Sequence, residues 1–233
     1  MSLGRRLMPT DAACTTDSAD PFGDSSGVIL YQLNSDGGTT NNVPDASGNH
    51  NGTASNITYS SGQIGNAAVF NGSSSFINTN YTLTTDTTFS FSWWMNADSP
   101  TQNHYIVNDG NGTVHDGSLA IYHNASDELG MWIGANGSGY GFGRLAISGG
   151  LSGSWMHFAV SVNGSTATIY KNGSLEGTLS LTPHSTAGIL TLIIGRLGHF
   201  NGFYFKGDLD QMRYFNKAIS ATEVGTLYAE TAC

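Results

Sequence analysis

The chain has 233 residues and carries 17 acidic against 8 basic side chains, a formal charge of −9. That balance leaves no broad phosphate-binding stripe and so excludes nucleic acid as a partner. Gly at 31 residues, only 5 Pro and 11% aromatic residues suit many short strands joined by polar turns, and argue against long helices and against disorder.

Residues 1–27 hold Pro9, Asp11, Asp17, Asp20, Pro21 and Asp24 with no periodic apolar pattern, which predicts an arm ahead of one domain over 28–233. Near its start Arg5, Arg6, Leu7 and Met8 make a small basic and apolar patch, a candidate docking segment for a protein partner; a frayed terminus is the plainer alternative. The opening residues lack the continuous hydrophobic region of a secretory signal, and no apolar run is long enough to cross a bilayer. Neither signal-route export nor a membrane span is expected, although an already processed start would look the same.

A first strand is predicted at 28–33, followed by a dense turn cluster at 44–52 and short strands at 67–71 and 75–78. Residues 89–96 show the strongest alternation of the first half, with Phe89, Phe91, Trp93 and Met95 on one face and Ser90, Ser92, Trp94 and Asn96 on the other. The first face reads as core; Trp94 is expected to cover an edge or pack under a loop. Further strands are predicted at 105–107, 118–122, 130–133 and 144–147.

Residues 155–162, 167–170 and 175–181 alternate around Asn163-Gly164 and Asn172-Gly173. Both dipeptides read as two-residue type I′ hairpin turns, because Asn and Gly reach positive φ at little cost. Closing strands follow at 190–195, 203–205 and 209–215, and Ser220 with Glu223 marks a capping box ahead of a short helix at 221–228. A meander of this kind closes into a sandwich or barrel. The strand count favours an all-β fold, a two-sheet antiparallel sandwich with one short C-terminal helix.

The only cysteines are Cys14 and Cys233. In a sandwich whose first and last strands are neighbours they would meet and clip the termini, a very long loop worth on the order of 4 to 5 kcal/mol. Two free thiols in a reducing compartment are the alternative, and both readings stay open.

Five segments, taken in order, resemble the laminin G-like, concanavalin A-like jelly-roll family. They are Asp-Ala-Ser-Gly-Asn-His-Asn-Gly at 45–52, Gly-Asn-Ala-Ala-Val-Phe-Asn-Gly at 65–72 running on to Phe76-Ile77, Phe-Ser-Phe-Ser-Trp-Trp-Met at 89–95, Trp-Met-His-Phe-Ala-Val at 155–160, and the stretch from Ile194-Gly-Arg196 to Glu223 that contains Leu-Asp-Gln-Met-Arg-Tyr-Phe. The resemblance covers roughly residues 28–228 and implies two curved antiparallel sheets, a role in binding glycans or proteins and, often, a calcium ion in the loops. It points to Asp45, Asn49, Asn51 and Asp210 as calcium ligands, with Asp208 as a spare carboxylate; oxygen-rich turns suit that ion. The alternative is that Asp45 and the Asn side chains make turn bonds to the backbone. The termini also resemble those of tailed-bacteriophage structural proteins that carry this module, which implies a virion setting, a shell or tail partner and, since particles are symmetric, a homo-oligomer.

Glycoside hydrolases share this fold, but a retaining enzyme needs two carboxylates about 5 Å apart. The four Glu residues form no such pattern, and Asp208 with Asp210 would be a like-charge pair better explained by a cation or a loop. There is no Gly-x-Ser-x-Gly elbow, phosphate-binding loop or His-Glu-x-x-His. His104, His115, His123 and His157 would in principle gather at one site, but no short spacing supports zinc. The Asn-x-Ser/Thr triplets at Asn56, Asn71 and Asn163 read as by-products of composition.

The candidate ligand surface is the aromatic and Asn-rich segment from Tyr122 through Trp132 to Phe142, with Tyr122, Asn124, Asn136 and Tyr140 as contacts. Exposed rings stack on sugar faces while Asn side chains bond hydroxyls. The competing assignment puts Tyr122 and Trp132 in the core, and it is favoured for Trp132. The expected function is a non-enzymatic virion decoration or adhesion module, with a free calcium-dependent extracellular lectin and a glycosidase as alternatives.

Overall fold

The computed structural model describes residues 18–35, 37–38, 41–83, 87–109, 119–133, 141–181, 191–198 and 202–230. The first half of the chain supplies β1 (Gly27–Tyr31), β2 (Asn42–Val43), β3 (Gly52–Ser55), β4 (Thr58–Ser61), β5 (Asn66–Asn71), β6 (Phe76–Thr82), β7 (Thr88–Ala97) and β8 (His104–Asp109). The second supplies β9 (Leu119–His123), β10 (Glu128–Ile133), β11 (Gly141–Ala146), β12 (Met156–Asn163), β13 (Thr166–Lys171), β14 (Ser174–Ser180), β15 (Thr191–Ile194), β16 (Lys206–Phe215) and helix α1 (Ala221–Tyr228).

These strands form two antiparallel sheets, the sandwich expected from the pattern. The first runs β14-β13-β12-β7-β16-β5-β4, with β1 also on β16; the second runs β11-β10-β9-β8-β15-β6-β3-β2. The alternation in β7 behaves as read: Phe89, Phe91, Trp93 and Met95 enter the core between the sheets, where Trp93 stacks on Phe158 of β12 at 5.8 Å. Each such ring contributes roughly 1.5–3 kcal/mol by leaving water.

The second Asn-Gly turn is the expected one, since Asn172 and Gly173 both have positive φ. At the first, β12 runs on to Asn163, which pairs with Thr166, so the two central residues are Gly164 and Ser165. Only Gly164 has positive φ, which makes this a type II′ turn in place of type I′. Strands β2, β3 and β4 escape the sequence reading because they are short and polar. The stretch 203–205, read as a strand, makes a single bridge between Tyr204 and Tyr105.

Two satellite clusters lie outside the main core. On the outer face of the first sheet, α1 packs Val224 and Leu227 over Ala159, Tyr170 and Phe215, and Phe22 stacks on Phe215 at 5.2 Å. The capping box of Ser220 and Glu223 is formed as expected. Trp94 stacks on Tyr228 of α1 at 5.6 Å, and the helix end is therefore what covers it. Residues 18–26 belong to this layer, since Lys217 pairs with both Asp24 and Glu223 while lying over the Phe22 ring.

The other satellite cluster, on the outer face of the second sheet, contains Tyr105, Ala120, Tyr122 and Leu197 with Trp132 against it. Among the described residues no helix is long and apolar enough to cross a membrane.

Candidate functional site

The second satellite cluster gathers aromatic rings on an outer sheet face, with Trp132 and Phe203 packed against Tyr105. Tyr105 on β8, Tyr122 on β9, Gly130 on β10 and Arg144 on β11 are successive register partners, so they form one row across the sheet. Tyr105 and Tyr122 stack at 5.3 Å. Gly130 makes the row possible: a Cβ there would lie 2.1 Å from Cζ of Tyr122. The Tyr122 ring therefore crosses β10, and its hydroxyl accepts a 3.0 Å hydrogen bond from Nε of Arg144.

Trp132, on β10, sets its ring edge-on to Tyr105 at 5.5 Å and lies 5.8 Å from Tyr122. Phe203 also meets Tyr105 edge-on, at 5.9 Å. Tyr105 and Tyr122 are buried, whereas Trp132 is half-buried and Phe203 is 37% exposed. Phe203 also holds φ 55, an unusual conformation for a bulky residue, and its carbonyl accepts the Tyr105 N–H at 3.2 Å. Burial pushes the phenols of Tyr105 and Tyr122 above their usual pKa, which keeps both as hydroxyl donors. The result is two buried rings supporting two accessible ones beside an exposed guanidinium. Such a surface stacks on flat, partly apolar ligands and offers charge-assisted hydrogen bonds at its rim.

Of the four residues expected to touch ligand, Tyr122 is a buried support, and Trp132, assigned to the core, is the more accessible ring. Asn124 is buried and shapes the β9–β10 turn: its Nδ2 donates to Oε2 of Glu128 at 2.7 Å and its Oδ1 accepts from the N–H groups of Ser126 and Glu128. Asn136 and Tyr140 lie outside the described residues, as do Arg5, Arg6, Leu7, Met8, Cys14 and Cys233. Tyr105, Phe203 and Arg144 were not singled out. The relevant signal was a Gly in β10 directly opposite a Tyr in β9, readable only once the register is known.

The residues matched to a cation divide. Both oxygens of Asp45 are occupied by the protein: Oδ1 accepts from the N–H groups of Leu30 and Ser47, and Oδ2 from the N–H of His50 and the Ser47 hydroxyl. Asn51 accepts the Asp45 N–H at 2.9 Å, and Asn49 is exposed. Apart from the bond from Leu30 of β1, these are the turn bonds of the alternative reading. Asp208 is half-buried opposite Asn96, and its carboxyl is raised mainly by burial.

Asp210 differs. Its Oδ2 accepts the Ile64 N–H at 2.8 Å, whereas its buried Oδ1 has no hydrogen-bond partner among the described residues. The next residue, Gln211, is buried at φ 48 with both amide atoms in the same state. Here β16 changes partner along one edge, from β5 at Lys206–Leu209 to β1 at Met212–Phe215. The orphaned Oδ1 of Asp210 is a hard donor of the kind calcium takes, so Asp210 is the member of the set that fits the ion. Among the described residues no three acidic, His or Cys side chains gather as a metal cluster. Of the four His residues considered together, His104 and His123 are cross-strand partners, His157 lies on the other sheet, and His115 is outside the described residues.

A family model described as the concanavalin A-like lectin/glucanases superfamily matches residues 70–225. Among curated proteins none matches. Domain 4 of AbnA, a GH43 extracellular arabinanase from Geobacillus stearothermophilus solved with arabinotriose, is 23% identical with a TM-score of 0.66, over 86% of this chain and 97% of that one. The binding domain of Paraclostridial mosquitocidal protein 1 is 17% identical with a TM-score of 0.65. The receptor binding domain of botulinum neurotoxin type G is 16% identical with a TM-score of 0.63. This chain covers 86% and 87% of its own length in these two matches, and only 51% and 50% of theirs. At such identities the likeness is one of fold.

Proposed function

Because the chain belongs to the concanavalin A-like lectin/glucanase superfamily, we propose that it is a non-enzymatic binding module that takes a carbohydrate on the outer face of its second sheet. The observation that carries the reading is the accessible rings of Trp132 and Phe203, both set edge-on to the buried Tyr105, with Tyr122 and Arg144 alongside. Sugar rings present flat C–H faces to such aromatics and hydroxyls to the rim. The nearby Glu128 is tied to Asn124, which suits a structural carboxylate better than a catalytic one. Arabinotriose, present in the AbnA domain structure, is the first probe. Calorimetry and a glycan array would test the reading with the wild type and Trp132→Ala; equal binding by both proteins overturns this site, and turnover of a bound glycan overturns the non-enzymatic assignment.

A calcium ion in this module would take Asp210 as a ligand, where it would neutralise a buried carboxylate at the β16 bulge. The virion setting, with a shell or tail partner and a homo-oligomer, rests on the terminal sequences. Because residues 18–26 are built into the domain, the informative truncation removes residues 1–17. Unchanged incorporation of that form into particles overturns the docking role.

A further inference from the structure

We propose that His104 and His123 form an acid-operated latch beneath the aromatic site, which opens the ends of β8 and β9 and releases ligand when the pair takes up protons. The latch rests on the binding reading above. His104 is the first residue of β8 and His123 the last of β9, and the two are cross-strand partners. Each is the chain neighbour of a supporting ring, Tyr105 or Tyr122, and strand alternation puts the imidazoles on the opposite, inner face. There they lie edge to face, ring centroids 6.3 Å apart, and His104 also meets Phe205 of the core.

Both are buried, and Nδ1 of His104 with Nδ1 and Nε2 of His123 have no hydrogen-bond partner among the described residues. Charged groups approach from three elements: Asp98 after β7, Lys206 on β16 and Asp127 in the β9–β10 turn. Asp98 and Lys206 pair with each other at 2.8 Å, so they largely cancel at His104. Asp127 lies 3.7 Å from Nε2 of His123, half in solvent, and also accepts the Leu151 N–H. One carboxylate at that range does not balance the desolvation of two imidazolium ions facing each other; burial holds His104 below its usual pKa and takes His123 down to about 4.

Protonation therefore favours any state that separates the pair. The cheapest such state frays the strand ends, because these residues terminate their strands, and fraying there removes the support of Trp132 and Phe203.

The test follows near-UV and far-UV circular dichroism of the full chain from pH 7.5 to pH 4, with histidine Cε1–H NMR resonances recorded alongside. Wild type is expected to lose the aromatic near-UV signal below pH 6.5 while its far-UV spectrum holds. His104→Gln with His123→Gln removes that step, and each single variant moves its midpoint down. An unchanged near-UV signal in wild type, or an unchanged midpoint in the double variant, overturns the latch. If the double variant does not fold, the wild-type NMR titration decides, since His104 and His123 resonances titrating near 6.5 with no aromatic change also overturn it. Arabinotriose binding at pH 7.5 is measured separately. Binding that weakens about tenfold or more by pH 5 in wild type, but not in the double variant, supports the latch. No binding to any glycan at pH 7.5 overturns the site reading and leaves the acid step to be judged by its spectra.

Discussion

Arg213 and Glu230 make an ion pair that is almost wholly withdrawn from water: Nη1 lies 2.6 Å from Oε2, and each side chain is 1% exposed. The pair joins the C-terminal part of β16 to the residue after the C-cap of α1, and so ties the C-terminal layer to the first sheet. Burial draws the Arg213 guanidinium below its usual pKa, while Glu230 and Asp210 hold it charged. Removing the Glu230 charge takes away the main offset to the guanidinium's desolvation, so Glu230→Gln should destabilise the domain by about 3 to 5 kcal/mol in urea unfolding. Arg213→Met with Glu230→Leu should lose much less than the sum of the single variants.

Trp132→Ala should weaken glycan binding by about 2 kcal/mol, roughly thirtyfold, as a central aromatic anchor does. The ring is half-buried and lies over a satellite cluster, so the melting temperature should move little. Calorimetry with a thermal melt on the same sample separates the two effects.

Gly130→Ala should act on the site without touching a ligand. The added Cβ would meet Cζ of Tyr122 at 2.1 Å, forcing the ring off β10 and breaking its bond to Arg144. The expected penalty is about 1 to 3 kcal/mol of stability, together with a changed near-UV spectrum and weaker binding.

His157 makes stability depend on acid independently of the latch. It is buried between Trp94 and Ser92, whose hydroxyl is 2.9 Å from Nε2, and burial with the nearby Arg213 charge takes its pKa from 6.5 to about 3. The unfolded chain therefore binds the proton more readily, so the stabilisation is complete above pH 6.5 and falls as pH drops toward 3. Between pH 6.5 and 5 this group alone should remove about 2 kcal/mol, read as a shift of urea midpoint that His157→Phe flattens.

Calcium should raise the melting temperature of the wild type and leave that of Asp210→Asn unchanged. Asp45→Ala should be strongly destabilised at any calcium concentration, because four donors lose their acceptor, yet keep its response to the ion. A response lost in Asp45→Ala and kept in Asp210→Asn would return the site to the 45–51 loop.

Local chemistry alone determined much of this molecule. The period of two in 89–96 and 155–162, the turn residues at 172–173 and the Ser220–Glu223 box each depend on neighbours a few positions away, so they could be read directly as core strands, a hairpin and a helix start. Tertiary structure decided what alternation cannot express. Tyr122 and Trp132 both lie on the outer face, yet which is buried and which is accessible depends on Tyr105 and other rings brought in from elsewhere along the chain. Asp45 in a turn motif and Asp210 in a strand motif are both matched to a cation, but the first is saturated by its turn and by Leu30 while the second sits where β16 exchanges β5 for β1. His104 and His123 became a pair only through the register of β8 on β9. Periodicity reports which side of a strand a residue takes; the free energy of a buried ring, carboxylate or imidazole is set by the atoms that other strands bring to it.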